Sequence, residues 1–184
     1  MEEANLEFDV KTRLILAGLS EMEEHGEGDF SLRRVATRAQ VSCAAPYRHF
    51  RDKEALIGEV FSYIHGKWEL LCREIVQAFR DDPARRLLEL STAYLRFWLS
   101  NPNYRSVLLS RTARARRAAF DAPLCRSAEE LTEARGGDAE MAHRLSFAVL
   151  STVYGALLLL PTDEDGTDGI VKDTRNQLTY VINM

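Results

Sequence analysis

The chain has 184 residues, 46% of them apolar and 28% charged, which excludes an extended disordered, collagen-like or low-complexity polymer and fits one or two small globular domains. Its formal net charge of −4 would by itself discourage a nucleic-acid partner. The total conceals a switch, because residues 1–30 hold two basic against nine acidic side chains, while residues 31–53 hold six basic ones against Asp52 alone. Those six are Arg33, Arg34, Arg38, Arg48, Arg51 and Lys53. Cys43, Cys72 and Cys125 stand at spacings that suit neither a zinc site nor a disulfide framework, and they read as free thiols of a reducing, cytoplasmic compartment. The acidic N-terminus lacks the apolar core of a signal peptide.

In chain order, helical spacing dominates and no strand-like alternation persists. Leu6–His25 carries Val10, Leu14 and Ala17 on one face, with Glu21, Glu23 and Glu24 assigned to the outside, and Gly26 and Gly28 end it. Ser31 is placed as an N-cap for a short helix with Leu32, Val35, Ala36 and Ala39 inside and Arg33, Arg34, Thr37 and Arg38 outside. After a turn at Gln40-Val41, Ser42 can cap a second short helix running to Phe50. Asp52 is a possible cap for a long helix reaching Phe79, and a second long segment runs from Ala84 to Ser100. A short helix over 103–110, a basic loop over 111–123 and a helix over 124–134 follow. Asp138 caps a long apolar helix through Leu160, an acidic linker spans 162–167, and a last helix covers 169–182. The expected fold is all-α with nine helices, divided into residues 1–52 and 53–184.

The two short helices and their tight turn form a helix-turn-helix candidate with a basic outer face. Val41 and Phe50 anchor the second helix, while small Ala44 and Ala45 near its tip would let it sink into the major groove. Its N-terminus points positive partial charge toward phosphate, and Tyr47, His49 and Lys53 follow at spacings suited to gripping the backbone.

The stretches Arg13–Ala17 to Gly26, Ser31–Ala39, Val41-Ser42 and Ala45–Leu56 together resemble the DNA-binding domain of TetR-family transcriptional regulators. That resemblance implies phosphate contacts from Ser31, Tyr47, His49 and Lys53. It implies base contacts from the tip, Ser42, Cys43, Ala44 and Ala45, with Arg48 and Arg34 alongside and Arg33 on the same basic face. Where such domains often carry Gly in the turn this chain has Gln40, and a positive φ there would cost about 1 kcal/mol. Ala45 stands where a hydroxyl residue is common, and Pro46, at the fourth helical position after Ser42, lacks an N–H, which weakens the first turn but is tolerable there. Base reading is therefore expected through Arg48 or Arg34 and thymine methyls, helped by DNA shape.

In the remainder, Phe61, His65, Trp68, Cys72, Tyr94, Trp98, Tyr104, Phe147 and Tyr154 are candidate lining for an effector cavity, although aromatics at helical spacing also build cores. The resemblance implies a small apolar or aromatic effector, a homodimer joined through the last two helices and a near-palindromic double-stranded DNA operator. The uncharged run Leu145–Thr162 approaches membrane-spanning length, but its Ser146, Ser151, Thr152, Tyr154 and Gly155, with no basic cluster at its flanks, fit that interface better than a membrane. No metal or cofactor is expected, since His65 and His143 stand alone on their helices. HExxH, GxSxG, GxGxxG and P-loop patterns are missing, so an enzyme is not the reading.

Overall fold

A computed structural model of the chain describes residues 9–109, 114–159 and 167–184. Among the described residues the secondary structure is helical throughout: α1 (Val10–His25), α2 (Leu32–Arg38), α3 (Ala45–His49), α4 (Lys53–Ala78), α5 (Pro83–Leu99), α6 (Pro102–Leu109), α7 (Arg114–Ala134), α8 (Ala139–Leu159) and α9 (Thr167–Asn183). The fold is the all-α, nine-helix one expected. Side-chain caps explain most of the starts. Asp9, Ser31, Asp52, Asp82 and Asp138 accept the backbone N–H of Thr12, Arg34, Ala55, Arg85 and Met141 respectively, each three residues on. Pro83 follows Asp82 in the first turn of α5, where its missing N–H removes no helical bond. The helix start expected at Leu6 and the stop expected at Leu160-Pro161 lie outside the described residues.

One departure is large. Residues 114–123, read from sequence as loop, belong to α7, which runs through Pro123. The run Arg114–Ala122 is rich in strong helix formers, and these outweigh the proline as a stop. Near the proline, the Trp68 indole N–H donates to the Phe120 carbonyl at 3.0 Å, a tertiary bond that holds α7 to α4.

Two compact units emerge. The first holds α1 to α3, α4 as far as Gly66, and α6; the second holds α4 from Lys67, α5, α7 from Arg117, α8 and α9. In the first, Leu14, Val35, Ala36, Phe50, Leu56, Ile57 and Val60 form the core. Gly18 packs closely there, since a Cβ would come within 3.2 Å of the Val60 side chain and 3.5 Å of Leu56. In the second, Trp68, Tyr94, Trp98 and Phe120 meet edge to face in succession, with ring centroids 5.1, 5.7 and 5.1 Å apart. Leu87, Leu90, Val149, Val153 and Leu178 complete that core as α5, α8 and α9 pack together. Arg175 of α9 ties to α5, its guanidinium donating to Glu89 at 2.6 and 3.0 Å and to the Thr92 hydroxyl at 3.0 Å.

The turn after α2 closes with Gln40 N–H on the Thr37 carbonyl (3.1 Å) and Val41 N–H on the Ala36 carbonyl (3.0 Å), the paired bonds of a Schellman ending. That ending needs a left-handed residue, and Gln40 sits at φ 55°, the sole non-glycine with positive φ among the described residues. The strain expected from the sequence is present. Gln40→Gly should stabilise the fold by about 0.5–1 kcal/mol, the left-handed penalty being partly offset by glycine's greater chain entropy. Urea unfolding would show it as a higher midpoint at unchanged slope.

Candidate nucleic-acid interface

Helices α2 and α3 pack together, and Val35, Ala36 and Ala39 in and after α2, with Ala45 and Phe50 in and after α3, are buried. This leaves Arg33, Arg34, Thr37 and Arg38 on the exposed face of α2, and Ser42, Cys43, Ala44, Tyr47, Arg48 and His49 exposed on and before α3. Helix α3 starts at Ala45, two residues later than the Ser42 cap predicts, and Ala44 at its N-cap supplies no side-chain bond. Ser42 instead opens a turn in which its carbonyl accepts from Ala45 N–H at 2.9 Å. With this start Pro46 moves from the fourth helical position after the cap to the second, where its missing N–H removes no helical bond. It also changes the tip: Ala45 and Pro46 turn into the core, so Ala44 carries the small exposed surface that was expected of both alanines.

The basic residues divide by what they touch. Arg34 lies against acids, with its guanidinium 2.6 Å from Glu21 and 3.2 Å from Asp29. Arg38 pairs with Glu24, and Arg51 with Asp52 at 2.7 Å. The Arg51 guanidinium and the Ala55 N–H hold the Asp52 carboxyl below the usual range, so this cap stays charged. Lys53 reaches the Gly28 carbonyl at 3.4 Å, which leaves its charge uncancelled. Arg33 and Arg48 have no acid partner among the described residues. The surface best able to meet phosphate and base edges is therefore Arg33, Arg48 and Lys53, with Tyr47, 65% exposed, between them in sequence.

Glu21 corrects an expectation. It was assigned to the solvent face of α1, yet its side chain is 0% exposed. Its carboxylate accepts from Arg34 Nε at 2.6 Å and from Ser31 N–H at 3.1 Å. Ser31, expected to hold phosphate, thus caps α2 with its hydroxyl and is held through its own N–H by α1.

The effector candidates fall into both units. Phe61, His65 and Tyr104 are in the first, where Phe61 is buried beneath the Arg116 guanidinium, 4.6 Å from the ring centroid. Trp68, Cys72, Tyr94 and Trp98 are buried in the second. Phe147 is 67% exposed, because the buried face of α8 runs Ala142, Val149, Val153 and Leu157 and Phe147 points the other way. Tyr94 and Tyr154 meet at a residue the sequence reading missed. Both hydroxyls donate to Asp121 Oδ1, at 2.8 and 2.9 Å, and lie 2.9 Å from one another. Asp121 was hidden because its segment was taken for a loop.

Burial pushes the Asp121 carboxyl up, against the two tyrosine hydrogen bonds and nearby Arg117. A raised folded value means the native state holds this proton more firmly than the unfolded chain. The resulting stability is present at acid pH and is lost as pH rises from the ordinary aspartate range through the raised value. Asp121→Asn keeps an acceptor for both hydroxyls and removes that fall. Thermal midpoints across pH 3–8 should show the variant gaining on wild type toward neutrality.

Residues 14–60 match the family model described as "Bacterial regulatory proteins, tetR family". No match was found among curated proteins. Among solved structures, the chain is similar to a putative fatty acid metabolism regulator of Clostridium perfringens, at 14% identity over 91% of this chain and 97% of that one, with a TM-score of 0.76. A TetR-family transcriptional regulator of Bordetella parapertussis matches at 14% identity, over 92% and 94% of the two chains, with a TM-score of 0.72. The transcriptional regulator FadR of Bacillus subtilis, in complex with stearoyl-CoA, matches at 12% identity, over 93% and 97%, with a TM-score of 0.69. At these identities the structures speak to fold, and the family model speaks to the sequence of α1 to α4. Residues 14–60 thus carry the sequence of the tetR family of bacterial regulatory proteins, and the described residues share the helical fold of solved TetR-family regulators.

Proposed function

We propose that the protein is a homodimeric, sequence-specific repressor whose hold on a near-palindromic operator is released by a small molecule. Residues 1–52 read DNA and residues 53–184 carry regulation and dimerisation. The observation that carries this reading is the outward row of Ser42, Cys43, Ala44, Tyr47 and Arg48 on and before α3, beside an α2 whose Arg33 has no acid partner among the described residues. Phosphate contacts come from Arg33, Tyr47, His49 and Lys53, and base contacts from Arg48 and the small tip.

The dimer face is α8 with α9. By length and composition Ala139–Leu158 could cross a membrane, and 28% of it is buried within the chain. Phe147 and Leu158 on α8, with Tyr180 and Met184 at the end of α9, are large exposed apolar groups of the kind a second copy covers. A two-fold axis there would present two α3 helices to half-sites about one DNA turn apart, or somewhat more.

The ligand is apolar or aromatic in part, in keeping with the aromatic core around Trp68, Tyr94 and Trp98 and with the stearoyl-CoA named for one structural relative. Its binding favours a spacing of the two readers unfit for the operator. Selection of bound fragments from genomic DNA, followed by mass measurement of the complex, should give a two-fold sequence with two chains per duplex. Linkage adds a second requirement: DNA must weaken ligand binding by the factor by which ligand weakens DNA binding. One chain per duplex would refute the dimer, and unequal factors at equilibrium would refute the release mechanism.

A further inference from the structure

Beside the second half of α4, the start of α5 and the middle of α7 lies a groove of about 680 Å³, within the range of small-molecule sites. Its walls carry three guanidinium groups, those of Arg73, Arg86 and Arg126, and two carboxylates, Glu69 and Glu130. Arg86 is buried and already committed, pairing with Glu130 and donating to the Arg80 carbonyl at 3.0 Å. Arg73 and Arg126 are exposed and have no acid partner among the described residues.

Two further groups point to a missing ligand. Ser127 is 3% exposed and lines the groove, yet its hydroxyl has no hydrogen-bond partner among the described residues. The Nε of buried Arg86, on the same wall, has none either. Buried polar groups are ordinarily satisfied, and two orphans on one groove mark a place where an acceptor belongs. Cys72 adds no competing charge, because burial pushes its thiol up to about 12 and it stays protonated at neutral pH. Together with Val76 and Pro123 it gives the groove an apolar side.

We infer that this groove binds the anionic head of a small amphipathic molecule, a carboxylate or phosphate monoester on an apolar group, with Arg73 and Arg126 holding the charge and Ser127 donating to an oxygen. Guanidinium groups suit both heads, since each presents two oxygens to the planar N–H fork. The inference extends the ligand-responsive reading above by naming a ligand chemistry and a place for it.

The test is calorimetric titration of the full-length protein, without DNA and at fixed ionic strength, with octanoate, octyl phosphate, inorganic phosphate and 1-octanol. At least one of the two amphipathic anions should bind saturably at one per chain, at least about tenfold tighter than octanol. Which of them binds tighter separates the carboxylate from the phosphate source. The double variant Arg73→Gln/Arg126→Gln should weaken that anion about tenfold or more while leaving octanol unchanged, and Ser127→Ala should weaken it less. Circular dichroism confirms that each variant is folded. Absence of saturable anion binding, equal affinity for octanol, saturable binding of inorganic phosphate alone, or binding indifferent to the double variant would each overturn the inference. Since DNA takes no part, a negative result leaves the operator-binding reading standing, and the converse also holds.

Discussion

Glu21→Ala should lower the unfolding free energy by about 2–4 kcal/mol, more than any other single change on the DNA-reading face. The side chain is 0% exposed and links α1 to α2 by two contacts, one to Ser31 N–H and one to the Arg34 guanidinium. Removing it strands both donors and leaves Arg34 beside a hollow. Arg34 is 43% exposed, so water recovers part of the loss, and the figure stays below that of a wholly buried pair. Glu21→Gln, which keeps an acceptor and drops the charge, should cost about half as much. Urea unfolding measures both, and a loss under about 1 kcal/mol for the alanine variant would mean that α2 is held by its apolar face alone.

The second large effect concerns DNA. Arg48→Ala should reduce affinity for the selected operator by about 10- to 100-fold, the range for losing one base-reading guanidinium, and change affinity for unrelated duplexes much less. Arg33→Ala and Lys53→Ala should weaken all duplexes by similar factors and flatten the salt dependence by about one unit of slope per contact removed. Arg34 should matter less for base reading than the sequence alone implies, because a base must compete with Glu21 and Asp29 for its guanidinium. Equal loss on all sequences for Arg48→Ala would assign that residue to the phosphates.

Much of this was legible in the residues, for identifiable reasons. Ser31, Asp52 and Asp138 are short acceptors placed ahead of periodic apolar runs, and each caps a helix. The cost at Gln40 follows from a turn geometry that two short helices impose on whatever residue stands there. What was not legible depended on partners distant in the chain. Glu21 lies seven residues after Leu14, on the same buried stripe of α1, and the spacing carries that signal. Polarity overrode it, because burial of a carboxylate makes sense only once Arg34 and the α2 N-terminus are brought to it. Asp121 was lost with its helix when Pro123 was given more weight than the helix-forming run before it. Ala45 looked like tip surface until the helix start moved from Ser42 to Ala45 and turned its methyl inward.

The charge switch between residues 30 and 31 changes meaning as well. Glu21, Glu24 and Asp29 fold back onto Arg34 and Arg38, so part of the positive run is neutralised internally. What is left for DNA is narrower than the count of six basic residues, and it centres on Arg33, Arg48 and Lys53. Fewer free cations favour a protein whose non-specific hold is weak and whose selectivity rests on α3.

The most direct test of that claim is a fluorescence-anisotropy titration of wild-type protein on a selected duplex and on a scrambled duplex of equal length, repeated from low to physiological salt. Binding to the selected duplex should be at least about a thousandfold tighter at physiological salt, with both affinities falling as salt rises. Equal binding to the two duplexes, or none to either, would contradict it.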